Sequence, residues 1–183
     1  MLNAVWFLLL AAIVSRALPL QAQSTISRDR HIKAAFLYNF GNYVQWPKQC
    51  FAGPQSPFVI GILGNNSIGT ALDAVAAKKR LQDRRIVIKR FESLKEYTPC
   101  HILFVPRATD PKVQVAAIAK LRTAGVLLVG ETPSFADRGG TVNFFTQQNR
   151  MRFEINQEAA KLEGLKISAK LLSLAKLVQT SKK

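Results

Sequence analysis

The sequence predicts an α/β fold: a single domain with a mainly parallel sheet flanked by helices, finished by a C-terminal β-hairpin and helix. Three observations carry this. A chain of 183 residues is long enough for one domain and little more. Apolar residues make up 48% and charged residues 20%, which supplies a real core and argues against disorder. Four short, continuous apolar runs alternate with helical patterns, the mark of strands covered on both faces.

The elements follow in order. Arg30 to Val44 is a helical pattern, with Ile32, Ala35, Phe36, Tyr38, Phe40 and Tyr43 on a broad apolar face. Trp46-Pro47 stops it, because the residue before proline is pushed out of the helical region. Phe58 to Leu63 is a buried strand ending at Gly64-Asn65-Asn66, and Ser67 is placed to cap a helix through Ile68, Leu72, Val75 and Ala76. Ile86 to Ile88 and Ile102 to Val105 are the second and third strands. Lys112 to Thr123 is a helix whose apolar face is Val115, Ile118, Ala119 and Leu121, preceded by Asp110-Pro111. Val126 to Val129 is the fourth strand.

The last third breaks the rhythm. Thr141 to Phe145 and Met151 to Ile155 flank a polar loop and read as a hairpin at the sheet edge. Asn156 is placed to cap a helix through Leu162, ended by Gly164. Ser168 to Val178 reads as a last helix, with Leu171, Leu174, Ala175 and Val178 on one face.

Catalytic chemistry finds little support. There is no Gly-x-Ser-x-Gly elbow, and the carboxylates Glu131, Asp137, Glu154 and Glu158 show no pairing. His31 and His101 have no ligand partners at metal spacing, since Cys100 and His101 are strand neighbours that face opposite sides. His101 reads as structural. The turn Gly61 to Asn65 lies between a strand and a helix and can cradle an anion on backbone N–H groups, with Gly61, Gly64 and Asn65 as its residues. It matches neither Gly-x-Gly-x-x-Gly nor a Walker loop, so a tight structural turn is the competing reading. No cofactor or metal is expected.

Two cysteines, Cys50 and Cys100, exclude a disulfide-dense scaffold. Each precedes a strand of the parallel sheet. They fit a disulfide if the two strands are neighbours, worth ~4 kcal/mol in the loop-entropy picture. Two separate, half-buried thiols are the alternative.

Ala4 to Val14 is an unbroken apolar run of 11 residues, too short for a bilayer and suited to a signal-peptide core. Cleavage near Ala22 leaves the polar start Gln23-Ser24-Thr25, so residues 1–22 are read as a signal peptide and 23–183 as the mature domain. Met1 to Asn3 carries no Lys or Arg, which leaves a buried helix or an uncleaved anchor as rivals. The full chain carries +15, and loss of Arg16 leaves +14. The basic residues are scattered and no nucleic-acid motif accompanies them, so no nucleic-acid partner is expected. A surface facing anionic polymers or lipids, or steering toward an acidic partner, accounts for the charge.

Several segments together carry a resemblance. They are Ile32-Lys33-Ala34-Ala35-Phe36-Leu37-Tyr38-Asn39-Phe40 with Trp46-Pro47, Ile60-Gly61-Ile62-Leu63-Gly64, and Cys100-His101-Ile102-Leu103-Phe104-Val105. Val129-Gly130-Glu131, Gly139-Gly140-Thr141-Val142-Asn143-Phe144 and Phe153-Glu154-Ile155-Asn156 follow, and then Gly164 to Leu172. In this order, over about Arg30 to Leu177, the chain resembles the YfiR-like family. The resemblance implies a periplasmic α/β protein without known catalytic activity. Such a protein binds the periplasmic domain of an inner-membrane diguanylate cyclase and holds it inactive, lowering cyclic di-GMP and biofilm formation. An outer-membrane lipoprotein can sequester it, and members can form a homodimer. Redox control by cysteines is not carried over, because this chain lacks the hairpin cysteines and Cys50 lies before the first strand. The candidate partner surface is the C-terminal third, with Phe153, Ile155, Leu165, Ile167, Leu171 and Leu174 as apolar anchors. The rival function is a periplasmic small-anion or ligand-binding accessory protein.

Overall fold

The computed structural model describes residues 20–64 and 68–180, with side chains from Ser27 onward. The expected signal core Ala4 to Val14, together with Asn65 and Ser67, lies outside the described residues.

Helix α1 spans Leu20–Tyr43, about ten residues longer at its start than the sequence pattern suggested. It leads through β1 (Val44–Gln45) and a 3-10 turn (Lys48–Cys50) to β2 (Phe58–Leu63). Then come α2 (Ile68–Lys78), β3 (Arg80–Leu81), β4 (Arg84–Phe91) and β5 (Ile102–Val105). Next are α3 (Pro111–Lys120), β6 (Leu127–Gly130), β7 (Val142–Gln147) and β8 (Arg150–Asn156). The chain ends with α4 (Gln157–Leu162), β9 (Lys166–Ile167), α5 (Ala169–Leu172) and β10 (Lys176–Val178).

Eight strands form one sheet in the order β10-β8-β7-β6-β5-β2-β4-β3. The run β4-β2-β5-β6-β7 is parallel, while β8 returns antiparallel to β7 and β3 is antiparallel to β4. All of β2, β5 and β6 is buried, which explains their unbroken apolar sequences. A small second sheet pairs β1 with β9, clasping the end of α1 to the C-terminal third.

The sheet separates two cores. On the first face, Leu37 and Phe40 of α1 and Leu72 of α2 pack on Phe58, Ile60, Ile102, Phe104 and Phe144. Phe36 and Phe40 each lie against Phe144 and Phe153, with ring centroids 5.3–5.7 Å apart. On the second face, Ala117 and Leu121 pack on Leu103, Leu128 and Phe135.

Three sequence expectations are corrected. The hairpin β7–β8 is not the sheet edge: β10 adds parallel to β8 and takes that place. The last helix is one turn, after which the chain extends into β10. Leu171 is buried but Leu174 is 63% exposed, so the apolar stripe has no surface to follow. The face of α3 is also rotated. Gln114, Ala117 and Leu121 are buried, and Val115 is 53% exposed. A buried Gln carries no apolar signal. Its amide is satisfied all the same, donating to the Thr109 carbonyl and accepting from the Thr132 hydroxyl, both at 2.7 Å.

Two helix starts are capped by side chains, and the expected cap at Asn156 is one of them. Asp110 accepts from the Lys112 N–H with Pro111 at the first helical position, and Asn156 accepts from the Ala159 N–H.

Candidate functional site

The two faces are unequally covered. The long helix α1 and helix α2 lie on the first, with Ala160 of α4 and Leu171 of α5 packed into the same core. On the second, α3 provides ten residues for a far wider sheet. What remains is an apolar groove of about 390 Å³ between α3, α4 and the Asp137–Gly139 turn. A pocket of this size suits a ligand or a docking side chain.

The groove is built from a second stripe on α3. Val115, Ile118 and Ala119 stand at i, i+3 and i+4 on the helix and line it, with Arg122 in the turn that follows. Leu162 of α4 faces them and is 48% exposed. Leu128 forms part of the floor, and the exposed side chains of Arg122 and Arg138 stand at the rim. Val115 and Leu162 are two of the four exposed large apolar side chains among the described residues. An apolar patch rimmed by charge is the usual form of an interaction site.

Two polar residues, one buried and one half-buried, set the walls. Asn156 is fully buried. Its Nδ2 donates to the Ala136 carbonyl at 2.8 Å and the Thr180 hydroxyl at 2.9 Å, and its Oδ1 caps α4. Glu163 accepts from the N–H groups of Thr123 and Gly125 at 2.8 Å and of Val126 at 3.3 Å. The carboxylate thus fixes the α3–β6 turn to α4. Gly125 has φ +72°, and a Cβ there would strike the Cys50 sulfur, so the turn requires glycine.

The residues expected to carry a site fall as follows. Phe153, Ile155, Leu165 and Leu171 are buried in the first-face core and offer no partner surface. Ile167 is half-buried in the β1–β9 pair, and Leu174 alone of the six is well exposed. Gly61 lies inside β2 rather than in a turn, where a Cβ would meet Phe91, Leu103 and Cys100. It is a packing glycine. Gly64, at φ +79°, ends β2 next to β5, where the strand order reverses. The cavity there is small, about 180 Å³, and Glu92 and Asp110 line it. That charge does not suit an anion.

Cys50 and Cys100 are free thiols, so the weighed disulfide is not formed. Strands β2 and β5 are indeed neighbours, but Cys50 packs against the first-face core and Cys100 within the second. The sheet stands between them. Burial pushes the Cys100 thiol up to about 12, and burial, then the Glu163 carboxylate, raise that of Cys50.

His101 is structural. Its ring stacks between Phe51 and Phe58, with centroids 4.4 and 4.6 Å away, and Nδ1 accepts from the Val59 N–H at 2.9 Å. Burial, then the nearby Arg84, lower its pKa to about 4. At the opposite end of the sheet, Lys33 bridges Asp29 at 2.7 Å and Glu131 at 2.5 Å. Burial alone would lower the lysine pKa, but the two carboxylates outweigh it and raise it. This cluster ties α1 to the end of β6. No group of His, Cys, Asp or Glu among the described residues is arranged to hold a metal ion.

The fold is a mainly parallel α/β sheet covered by helices, with an apolar groove on its second face. The family model described as DUF4154, YfiR/HmsC-like, matches residues 30–176, and the chain belongs to that family. Its family is one of periplasmic regulators of diguanylate cyclase signalling rather than of enzymes. No curated protein matches the chain. Among solved structures, the chain is similar to a conserved domain protein from Vibrio cholerae O1 biovar El Tor, at 15% identity and a TM-score of 0.50. The match covers 66% of this chain and 54% of that one, so the chain spans about half the length of the structure it matches. The likeness is one of fold.

Proposed function

We propose that this protein is a periplasmic binding protein that represses an inner-membrane diguanylate cyclase through the cyclase's periplasmic domain. The observation that carries the reading is the family match across residues 30–176. The groove between α3 and α4 supplies the contact surface: exposed apolar side chains, with Arg122, Arg138, Asp137 and Glu163 among the residues that line it. Burial of such an apolar patch within a polar rim is how transient regulatory complexes gain affinity. Met1 to Ala22 serves as the export signal in this reading. Its removal takes only the first three residues of α1. No helix among the described residues is long and apolar enough to cross a membrane. An outer-membrane lipoprotein relieves repression by sequestering the protein, and a homodimer is a further state of the same scaffold.

Cellular cyclic di-GMP in a clean deletion strain tests this. A several-fold rise, reversed by the exported protein and not by a version lacking Met1 to Ala22, is the expected result. An unchanged level across growth conditions overturns it.

A further inference from the structure

The open edge of the large sheet lies on β10, and its chemistry is specific. Leu177 stands in register with Ile155 of β8. The Asn156 N–H bonds to the Thr141 carbonyl beside β7, so the alternation of the strand turns Ile155 toward β10, and in a parallel ladder its bonds go to the residues on either side of its partner, here Lys176 and Val178. The N–H and C=O of Leu177 therefore point away from the sheet. No strand lies beyond β10 among the described residues, and Leu177 is 54% exposed. Leu174, 63% exposed, precedes it by three residues.

The strand is held ready. Lys176 pairs with Glu154 at 3.4 Å at one end, and Thr180 accepts from buried Asn156 at the other. A short segment pinned at both ends keeps its extended form without a partner, which lowers the ordering cost of strand addition. Charge selects the occupant. No acidic residue follows Glu163, whereas Lys166, Lys170, Lys176, Lys182 and Lys183 do. A second copy would set lysines against lysines on a chain already at +15.

We propose that the outer edge of β10 receives an extended, acidic segment of a partner protein as an added strand, with Leu174 and Leu177 as its apolar contacts. The site is separate from the groove and does not rest on the cyclase reading.

The test uses the full mature chain and two fluorescent peptides, one of alternating Val and Glu and one of alternating Val and Lys. Fluorescence anisotropy is expected to show binding of the acidic peptide only, weakening as salt rises. Leu177→Pro removes the outward N–H while leaving the bonds to β8, and is expected to weaken binding at least tenfold with the fold retained. Leu177→Ala keeps the amide and should lose less, which keeps the test valid if the proline variant is unstable. The groove variant V115D/L162D should bind the acidic peptide as the parent does. Equal binding of both peptides, no binding of either, or indifference to Leu177→Pro overturns the proposal. So does self-association that Leu177→Pro abolishes, which assigns the edge to a second copy. Binding to phosphatidylglycerol vesicles in place of the acidic peptide overturns it in favour of lipid.

Discussion

Asn156 and Thr180 are 24 residues apart and joined by one hydrogen bond, from the buried side-chain amide to the hydroxyl at 2.9 Å. The same amide holds the Ala136 carbonyl, and the same side chain caps α4. One residue therefore connects a groove wall, the helix opposite and the segment after β10. Asn156→Ala removes all three bonds and leaves buried donors and acceptors unmet. It is expected to cost about 2–4 kcal/mol by chemical denaturation. Asn156→Asp keeps the cap acceptor but sets a buried carboxylate oxygen against the Ala136 carbonyl, so it should cost at least as much.

Glu163 gives a second test. Its carboxylate accepts three backbone N–H groups from one turn, and charge-assisted bonds of this kind are strong. Glu163→Ala is expected to cost about 2–4 kcal/mol and to raise amide hydrogen exchange at Thr123 to Val126. Loss of that negative charge should also lower the Cys50 pKa and speed its reaction with a thiol reagent.

The pH dependence of stability follows from His101. Its folded pKa of about 4 lies below the ordinary 6.5, so the folded state resists protonation while the unfolded state accepts it. The contribution is whole above pH 6.5. It is lost as pH falls toward 4, at up to ~1.4 kcal/mol per unit, and levels off below. Denaturation series across that range should show the slope. His101→Gln, which cannot titrate, should flatten it.

The groove is tested by V115D/L162D. Both positions are about half exposed, so each substitution should change stability by no more than ~0.5 kcal/mol. Repression of the cyclase should nonetheless be lost, read as cyclic di-GMP in a complemented deletion strain. A folded variant that represses fully would remove the groove from the mechanism.

Much of the fold was legible, and the reasons are local. Strands buried on both faces spell themselves out, as in Phe58–Leu63 and Ile102–Val105. Asp110 and Asn156 announce helix starts because capping is a contact over two or three residues. The groove was not legible, because burial of Gln114 turned α3 away from its apparent apolar face. Two apolar stripes on one short helix were the available signal. The role of Glu163 rests on a contact to Thr123, 40 residues away, and leaves no local pattern. Two-residue strands such as β1 and β9 are shorter than any period that could reveal them. Strand β10 was misread because three residues beyond a single helical turn continue its apolar spacing by chance.

From β2 outward, the strands β5, β6, β7, β8 and β10 follow in the order in which the chain presents them, so the last strand made is also the one that covers the end of the sheet. A chain that stops before Lys176 leaves the buried end of β8 facing water, and should be more prone to sticking to its own kind than the finished molecule.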